Sequence, residues 1–270
     1  MNTFKFTIGA DPELFVGRAG KFVSAHDLVK GDKLNPTPVP NGAVQVDGMA
    51  LEFNIDPAKS EHEWLNNLES VLGELRVMVS EDLDFLKDVS VFFEDDDIKD
   101  VPNINKILGC SPDFNAYNMR ENQVPNAKMN MRTAGGHVHV GGLYTDNEYD
   151  WEHFTSTARL ARLMDKYVGV YSVLWDKDDQ RRKLYGGAGA FRPKLYGMEY
   201  RTMSNAWLWN KDICSFVYNQ TRKAVDAFLD KEDNVGSFIS DIINTSDRDN
   251  TFFLEDQTAI QLKEVVNAGV

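Results

Sequence analysis

The sequence predicts an α+β fold with a largely antiparallel sheet, on three observations. Short runs of alternating apolar residues crowd the first half, the loops between them are unequal, and most helical periodicity gathers after them. Phe4, Phe6 and Ile8 alternate with polar residues; Gly9 and Pro12 are expected to interrupt this strand, and Leu14 to Val16 to resume it. Lys21 to Ser24 reads as a short partner. Pro36, Pro38 and Pro40, followed by Asn41-Gly42, mark a loop and turn. Ala43 to Val46 and Met49 to Ile55 are expected to pair as a hairpin around Asp47-Gly48, a favoured tight-turn dipeptide. Val89 to Phe93 reads as a further strand, with Asp95-Asp96-Asp97 on a solvated turn behind it.

Three helices follow from periodicity and caps. Ser60 with Glu63 forms a capping box ahead of Trp64, Leu68, Leu72, Leu75 and Val79. Thr145 with Glu148 offers a second box before a stripe that runs from Phe154 through Ala161, Met164 and Val168 to Trp175. Asn210 is expected to cap a third helix, whose buried face is Ile213, Val217, Thr221, Ala224 and Phe228.

With 270 residues, 42% apolar and 26% charged, the chain is ordinary for a globular protein, and a single domain over 1–270 is expected. A net charge of −13 argues against a nucleic-acid or anionic-membrane binder, which needs a basic face. Any nucleotide must then be held by a local cluster of arginines and by bound cations. Cys110 and Cys214 allow one disulfide arithmetically but form no framework. Met1 to Ala10 lacks a signal pattern, and no apolar run approaches the roughly 20 residues of a membrane span. The expectation is a reducing cytoplasm.

Four clusters carry potential chemistry. In Gly9-Ala10-Asp11-Pro12-Glu13, carboxylates at i and i+2 of an extended segment share a face, where a hard cation such as Mg²⁺ would relieve their repulsion. In Asp47-Gly48-Met49-Ala50-Leu51-Glu52-Phe53-Asn54, Glu52 lies between apolar neighbours, where an unpartnered carboxylate is costly. In Gly135-Gly136-His137-Val138-His139-Val140-Gly141-Gly142, two imidazoles project to one side of a strand flanked by double glycines that permit close approach. From Arg181 to Arg201, six cations gather in an acidic protein around Gly186-Gly187-Ala188-Gly189, a combination suited to phosphate oxygens, and Glu199-x-Arg201 puts opposite charges on one strand face. Each has a plainer reading: a capped turn, an outward-facing strand, two hydrogen-bonded histidines, a surface loop with an internal salt bridge. No Walker loop, nucleophile elbow or His-Glu-x-x-His helix is present.

In order and wording these motifs resemble the phage-associated carboxylate–amine ligases of the glutamine synthetase and glutamate–cysteine ligase superfamily. The resemblance runs from about Thr7 to Trp207. It implies a curved antiparallel sheet with helices outside and an active site on the inner face. It also implies ATP and Mg²⁺ as cofactors, with metal ligands Glu13, Glu52, His137 and Glu199. His139 and Arg192 would meet the nucleotide phosphates, joined from the cationic cluster by Lys194 and Arg182, and Arg201 would face the carboxylate substrate or its phosphorylated form. Glu52, Glu199 and Arg201 would form the catalytic group. Many relatives carry Glu-x-Glu where this chain has Asp11-x-Glu13; Pro12 is expected to turn Asp11 away, and Asp11 and Asp47 are the weaker assignments. The implied partners are a small-molecule or peptide carboxylate and an amine, with no nucleic acid beyond ATP, no membrane, and a homo-oligomer as an option. Rival readings of the same residues are a phosphotransferase, a Zn²⁺ hydrolase and an idle binding protein.

Overall fold

The computed structural model describes residues 6–106, 113–123 and 130–268; Phe4 and Cys110 fall outside them. In chain order the strands are β1 (Thr7–Arg18), β2 (Lys21–Val23), β3 (Thr37–Val39), β4 (Gly42–Asp47), β5 (Ala50–Ile55), β6 (Asp84–Leu86) and β7 (Ser90–Phe92). They continue as β8 (Phe114–Asn115), β9 (Arg120–Glu121), β10 (Met131–Thr133), β11 (Gly136–Gly141), β12 (Ala190–Lys194) and β13 (Gly197–Tyr200). The main sheet has the order β3-β4-β5-β1-β11-β13-β12-β8-β9, with β2 and β6 also paired to β1, while β7 and β10 form a separate pair. Each of these pairings is antiparallel. The expected α+β class and the Asp47-Gly48 hairpin are therefore present.

β1 corrects the sequence expectation, because it runs unbroken through Gly9 and Pro12. Its ladder with β11 ends at Pro12 opposite Gly136, after which β1 turns to β5 through Glu13 and Leu14. The missing N–H of Pro12 thus falls where the strand changes neighbour, the place a sheet tolerates proline.

The helices are α1 (Glu61–Met78), α2 (Asn103–Lys106), α3 (Trp151–Met164), α4 (Val170–Trp175), α5 (Asp179–Leu184), α6 (Lys211–Leu229), α7 (Ser237–Thr245), α8 (Phe252–Glu255) and α9 (Gln257–Ala268). The expected long stripe from Phe154 to Trp175 is α3 and α4, joined end to end by a π-helical turn at Asp165–Gly169. Ser60 and Asn210 cap α1 and α6 as expected. Thr145 does not cap α3. Its hydroxyl serves a local turn with Asn147, and Asp150, directly ahead of the helix, accepts from the N–H groups of Glu152 and His153.

Alternation along the strands separates two faces. Ile8, Leu14, Leu51, Phe53, Val138, Val140, Phe191, Met198 and Tyr200 are buried against the helical layer. There α1 packs on β4 and β5, α3 on β12 and β13, and α6 against both α1 and α3. Trp64 of α1 stacks on Trp207 with ring centroids 5.6 Å apart and donates its indole N–H to the Cys214 carbonyl at 3.1 Å. Each such fully buried large side chain contributes roughly 1.5–3 kcal/mol. Asp95-Asp96-Asp97 sits in an exposed 3₁₀ turn, and among the described residues no helix is long and apolar enough to cross a membrane.

Candidate active site

The other face of the sheet is charged. Register brings Gln45 opposite Glu52, Glu52 opposite Glu13, Asp11 opposite His137, His139 opposite Glu199, and Glu199 opposite Arg192. Residues that opposite strands pair directly share a face, so groups distant in sequence converge by pleat alone. All of them but His139 line a pocket of about 250 Å³ that holds five carboxylates and four cationic side chains. Glu13, Glu52, His137, Glu199, Arg192, Lys194 and Arg201 all line it. His139 lines an adjoining pocket of about 540 Å³, which shares Asp11, Lys33, Gln45 and Glu52 with the first.

The carboxylates fall into two groups able to hold a cation. Glu13, Asp47 and Glu52 offer oxygens within 4.8 Å of one another, and Asp11, His139 and Glu199 bring ligand atoms equally close together. In the first, Glu13 accepts the Gly135 N–H at 2.6 Å, and Glu52 Oε2 is buried with no hydrogen-bond partner among the described residues. Burial, then the repulsion of Asp11, Asp47 and Glu13, raises Glu52 well above the usual carboxylate range; burial and Asp47 raise Glu13. A buried carboxylate oxygen with no donor, beside two more carboxylates, is a donor set suited to a hard cation. In the second set His139 Nε2 lies 3.0 Å from Asp11 Oδ1. Burial alone would raise Asp11, but His139 and His137 pull it far below its ordinary range. Pro12 therefore does not turn Asp11 away.

His137 is placed otherwise than the sequence suggested. Its Nδ1 lies 3.2 Å from Asp11 Oδ1, and its Nε2 lies 3.3 Å from Arg181 Nη2. A guanidinium can only donate, so Nε2 accepts and the proton sits on Nδ1, directed at Asp11. With its lone pair engaged, His137 belongs to neither ligand set, and His139 stands where it was expected. Burial and then Arg201 depress the His137 imidazole to about 4, which keeps it neutral near pH 7. Gly135 makes the Arg181 contact feasible: a Cβ there would meet His137 Nε2 at 2.3 Å.

Glu199 gathers the cations. Arg192 Nη1 lies 2.9 Å and Lys194 Nζ 3.0 Å from its Oε2, and Arg201 Nη1 pairs with its Oε1. Arg201 also donates through Nε to Asp113 at 3.1 Å. Burial opposes ionisation of Glu199, but Arg201, the two histidines and Arg192 hold it well below the usual range.

Arg182 does not reach the pocket. It is buried in the helical layer, where Nη2 lies 3.6 Å from Asp176 Oδ2 and Nη1 donates to Ser172 Oγ at 3.2 Å. The reason is helical: α5 turns successive residues by about 100°, so Arg181 faces the site and Arg182 faces away. The glycine loop is also not an open phosphate cradle. The Gly186, Ala188 and Ala190 amides donate to the Arg181 carbonyl, Asn244 Oδ1 and the Gly187 carbonyl. Sequence reasoning missed Arg181, Lys33 and Gln45 as members of the site. Gln45 was readable as the cross-strand neighbour of Glu52; Lys33, in a loop, had no periodic signal.

Residues 121–231 match the family model described as phage phiEco32-like COOH.NH2 ligase-type 2. The matched span carries His137, His139, Arg192, Lys194, Glu199 and Arg201; Asp11, Glu13, Asp47 and Glu52 lie before it and join through the sheet. No protein of curated function matches the chain. Among solved structures, one titled a bifunctional glutathione synthetase from Pasteurella multocida aligns at 12% identity with a TM-score of 0.45, over 98% of this chain and 45% of that one. This chain thus spans under half of that protein, and at that similarity nothing about its activity follows.

Proposed function

We propose that this chain is an ATP-dependent carboxylate–amine ligase. A carboxylate oxygen of the acid attacks the γ-phosphorus of ATP, the bond to the bridging oxygen breaks, and ADP leaves. The amine nitrogen then adds to the acyl carbon, the carbon–oxygen bond to phosphate breaks, and the nitrogen gives up a proton, leaving an amide and phosphate. Such chemistry needs alignment and charge neutralisation rather than a covalent nucleophile. The observation that carries the reading is that two separate sets of side chains able to hold a cation lie at one pocket beside Arg192, Lys194 and Arg201. The family match over residues 121–231 supports it.

Glu13, Asp47 and Glu52 would hold one Mg²⁺, and Asp11, His139 and Glu199 a second. Mg²⁺ bound there supplies charge neutralisation at the phosphate oxygens. His137, neutral and fixed between Arg181 and Asp11, orients the carboxylate of the second set. Arg192 and Lys194, which pair with Glu199 in the structure, would offer their N–H groups to phosphate oxygens once a cation neutralised Glu199. Arg201, anchored by Asp113, faces the acyl phosphate.

The test is ADP release with candidate acid–amine pairs, followed by mass spectrometry for a joined product lighter by one water. The expected result is turnover that requires a divalent cation and is lost in Glu199→Ala with the fold intact. A stable phosphorylated acid without amide would replace the ligase by a phosphotransferase. Hydrolysis that proceeds without ATP would remove both.

A further inference from the structure

We propose that Lys33 is a tethered cation that occupies the Glu13–Asp47–Glu52 site when no metal is there, and that an entering divalent cation must displace it. Its ammonium lies 2.7 Å from Asp47 Oδ2, it lines both pockets, and Glu13 and Glu52 attract it as well. The three carboxylates crowd their oxygens within 4.8 Å, and Lys33 is ion-paired to one of them, Asp47. An ammonium on Asp47 Oδ2 and a metal ion on the same oxygen, at about 2.0–2.1 Å for Mg²⁺, compete for one position.

The loop is built to hold the backbone while leaving the side chain free to swing. Gly31 adopts φ +106°, and a Cβ there would meet Thr37 N at 2.8 Å and Val44 O at 3.0 Å. Asp32 Oδ1 accepts the N–H groups of Leu34 and Asn35 at 2.8 and 2.9 Å, Thr37 Oγ1 donates to the Lys30 carbonyl at 2.7 Å, and Val46 N–H donates to Gly31 O at 3.2 Å. The Lys33 side chain, by contrast, is 51% exposed. Released from Asp47, its ammonium stays in the opening shared by the two pockets, where an anionic oxygen of a phosphate or acyl phosphate becomes its partner. This last role rests on the ligase reading; the competition for Asp47 does not.

The experiment is titration of the full chain with Mn²⁺, followed by calorimetry and by electron paramagnetic resonance, for the parent protein, Lys33→Met, Lys33→Gln, Asp47→Asn and the exposed control Lys87→Met. Both Lys33 variants are expected to bind Mn²⁺ about fivefold more tightly, the worth of one half-exposed ion pair. Asp47→Asn should bind more weakly and Lys87→Met unchanged. In chelator, Lys33→Met should melt below the parent, and Mn²⁺ should close that gap. Equal or weaker Mn²⁺ binding by both Lys33 variants, with binding intact in the parent, overturns the tethered cation and leaves the ligase reading standing. No Mn²⁺ binding by any of them removes the metal set of that reading together with the proposal.

Discussion

Tyr200 donates a hydrogen bond of 2.5 Å to Asp165 Oδ1, tying the strand that carries Glu199 to a fully buried acid in the helical layer. Tyr117 donates to Asp165 Oδ2 at 2.8 Å, and Thr202 Oγ1 lies 3.4 Å from Oδ1. Tyr200 and Thr202 alternate with Glu199 and Arg201, so one buried carboxyl braces the back of the segment whose front bears the charged site. The π-helical turn that begins at Asp165 sets this acid into the layer, a type of distortion that recurs at functional sites.

Burial pushes the Asp165 carboxyl up to about 7 despite its hydroxyl donors. A raised folded value means that the unfolded chain loses this proton first, so Asp165 takes stability away as pH rises from about 4 to 7. Asp165→Asn is therefore expected to gain stability relative to the parent over that window. Urea melts at pH 4.5 and 7.5 check it; a gap that stays constant or shrinks with pH contradicts the assignment.

Glu52→Gln removes a buried acid with one oxygen that has no hydrogen-bond partner among the described residues. In chelator at pH 8 this variant should be more stable than the parent by about 1–3 kcal/mol, because an uncharged amide is not repelled by Asp11, Asp47 and Glu13 and its N–H2 can donate to them. Because the folded value of Glu52 is raised, the gap should narrow as pH falls toward 4.5. Saturating Mn²⁺ should reverse the order, since only the parent keeps the full set. Thermal melts with and without metal measure both.

Arg181→Met should release His137 Nε2 and strip a donor from the Arg201 and Thr202 carbonyls. Loss of hydrogen bonds from a charged donor costs on the order of 1.5–3 kcal/mol each. Nitrogen-15 chemical shifts of His137 report the consequence: one fixed tautomer in the parent, a mixture in the variant. A single tautomer in both would show that Arg181 does not select it.

Arg182→Met leaves Asp176 buried with Ser204 Oγ, at 2.6 Å, but without its guanidinium. Breaking one side of a buried pair typically costs about 3–5 kcal/mol. Nucleotide and Mn²⁺ affinities of the folded variant should match the parent. A selective loss of nucleotide binding at unchanged stability would return Arg182 to the site.

The legible part of the site was what strand periodicity encodes. His137 and His139, Glu199 and Arg201, and Asp11 and Glu13 sit at i and i+2, so a single-residue pattern fixed their common face before any contact was known. Which nitrogen of which histidine is available was not legible, because it depends on Arg181 reaching through the gap at Gly135. Arg182 misled because its density of neighbouring charge said nothing of helical phase. The glycine loop misled because composition does not reveal that its amides are already bonded to Arg181 and Asn244. Asp150 outcompeted Thr145 as a cap by standing next to the first helical turn, a distinction finer than the spacing rule resolves.

The continuity of β1 through Pro12 has one more consequence. Asp11 belongs to one set able to hold a cation and Glu13 to the other, and an unbroken strand spaces their Cα atoms by roughly 6.6–6.8 Å. The backbone is thus a ruler: the interval between the two positions is inherited from the rise of a β-strand and cannot adapt to a guest. A break at Pro12 would have made the two halves of the site adjustable, whereas the observed strand holds their separation constant.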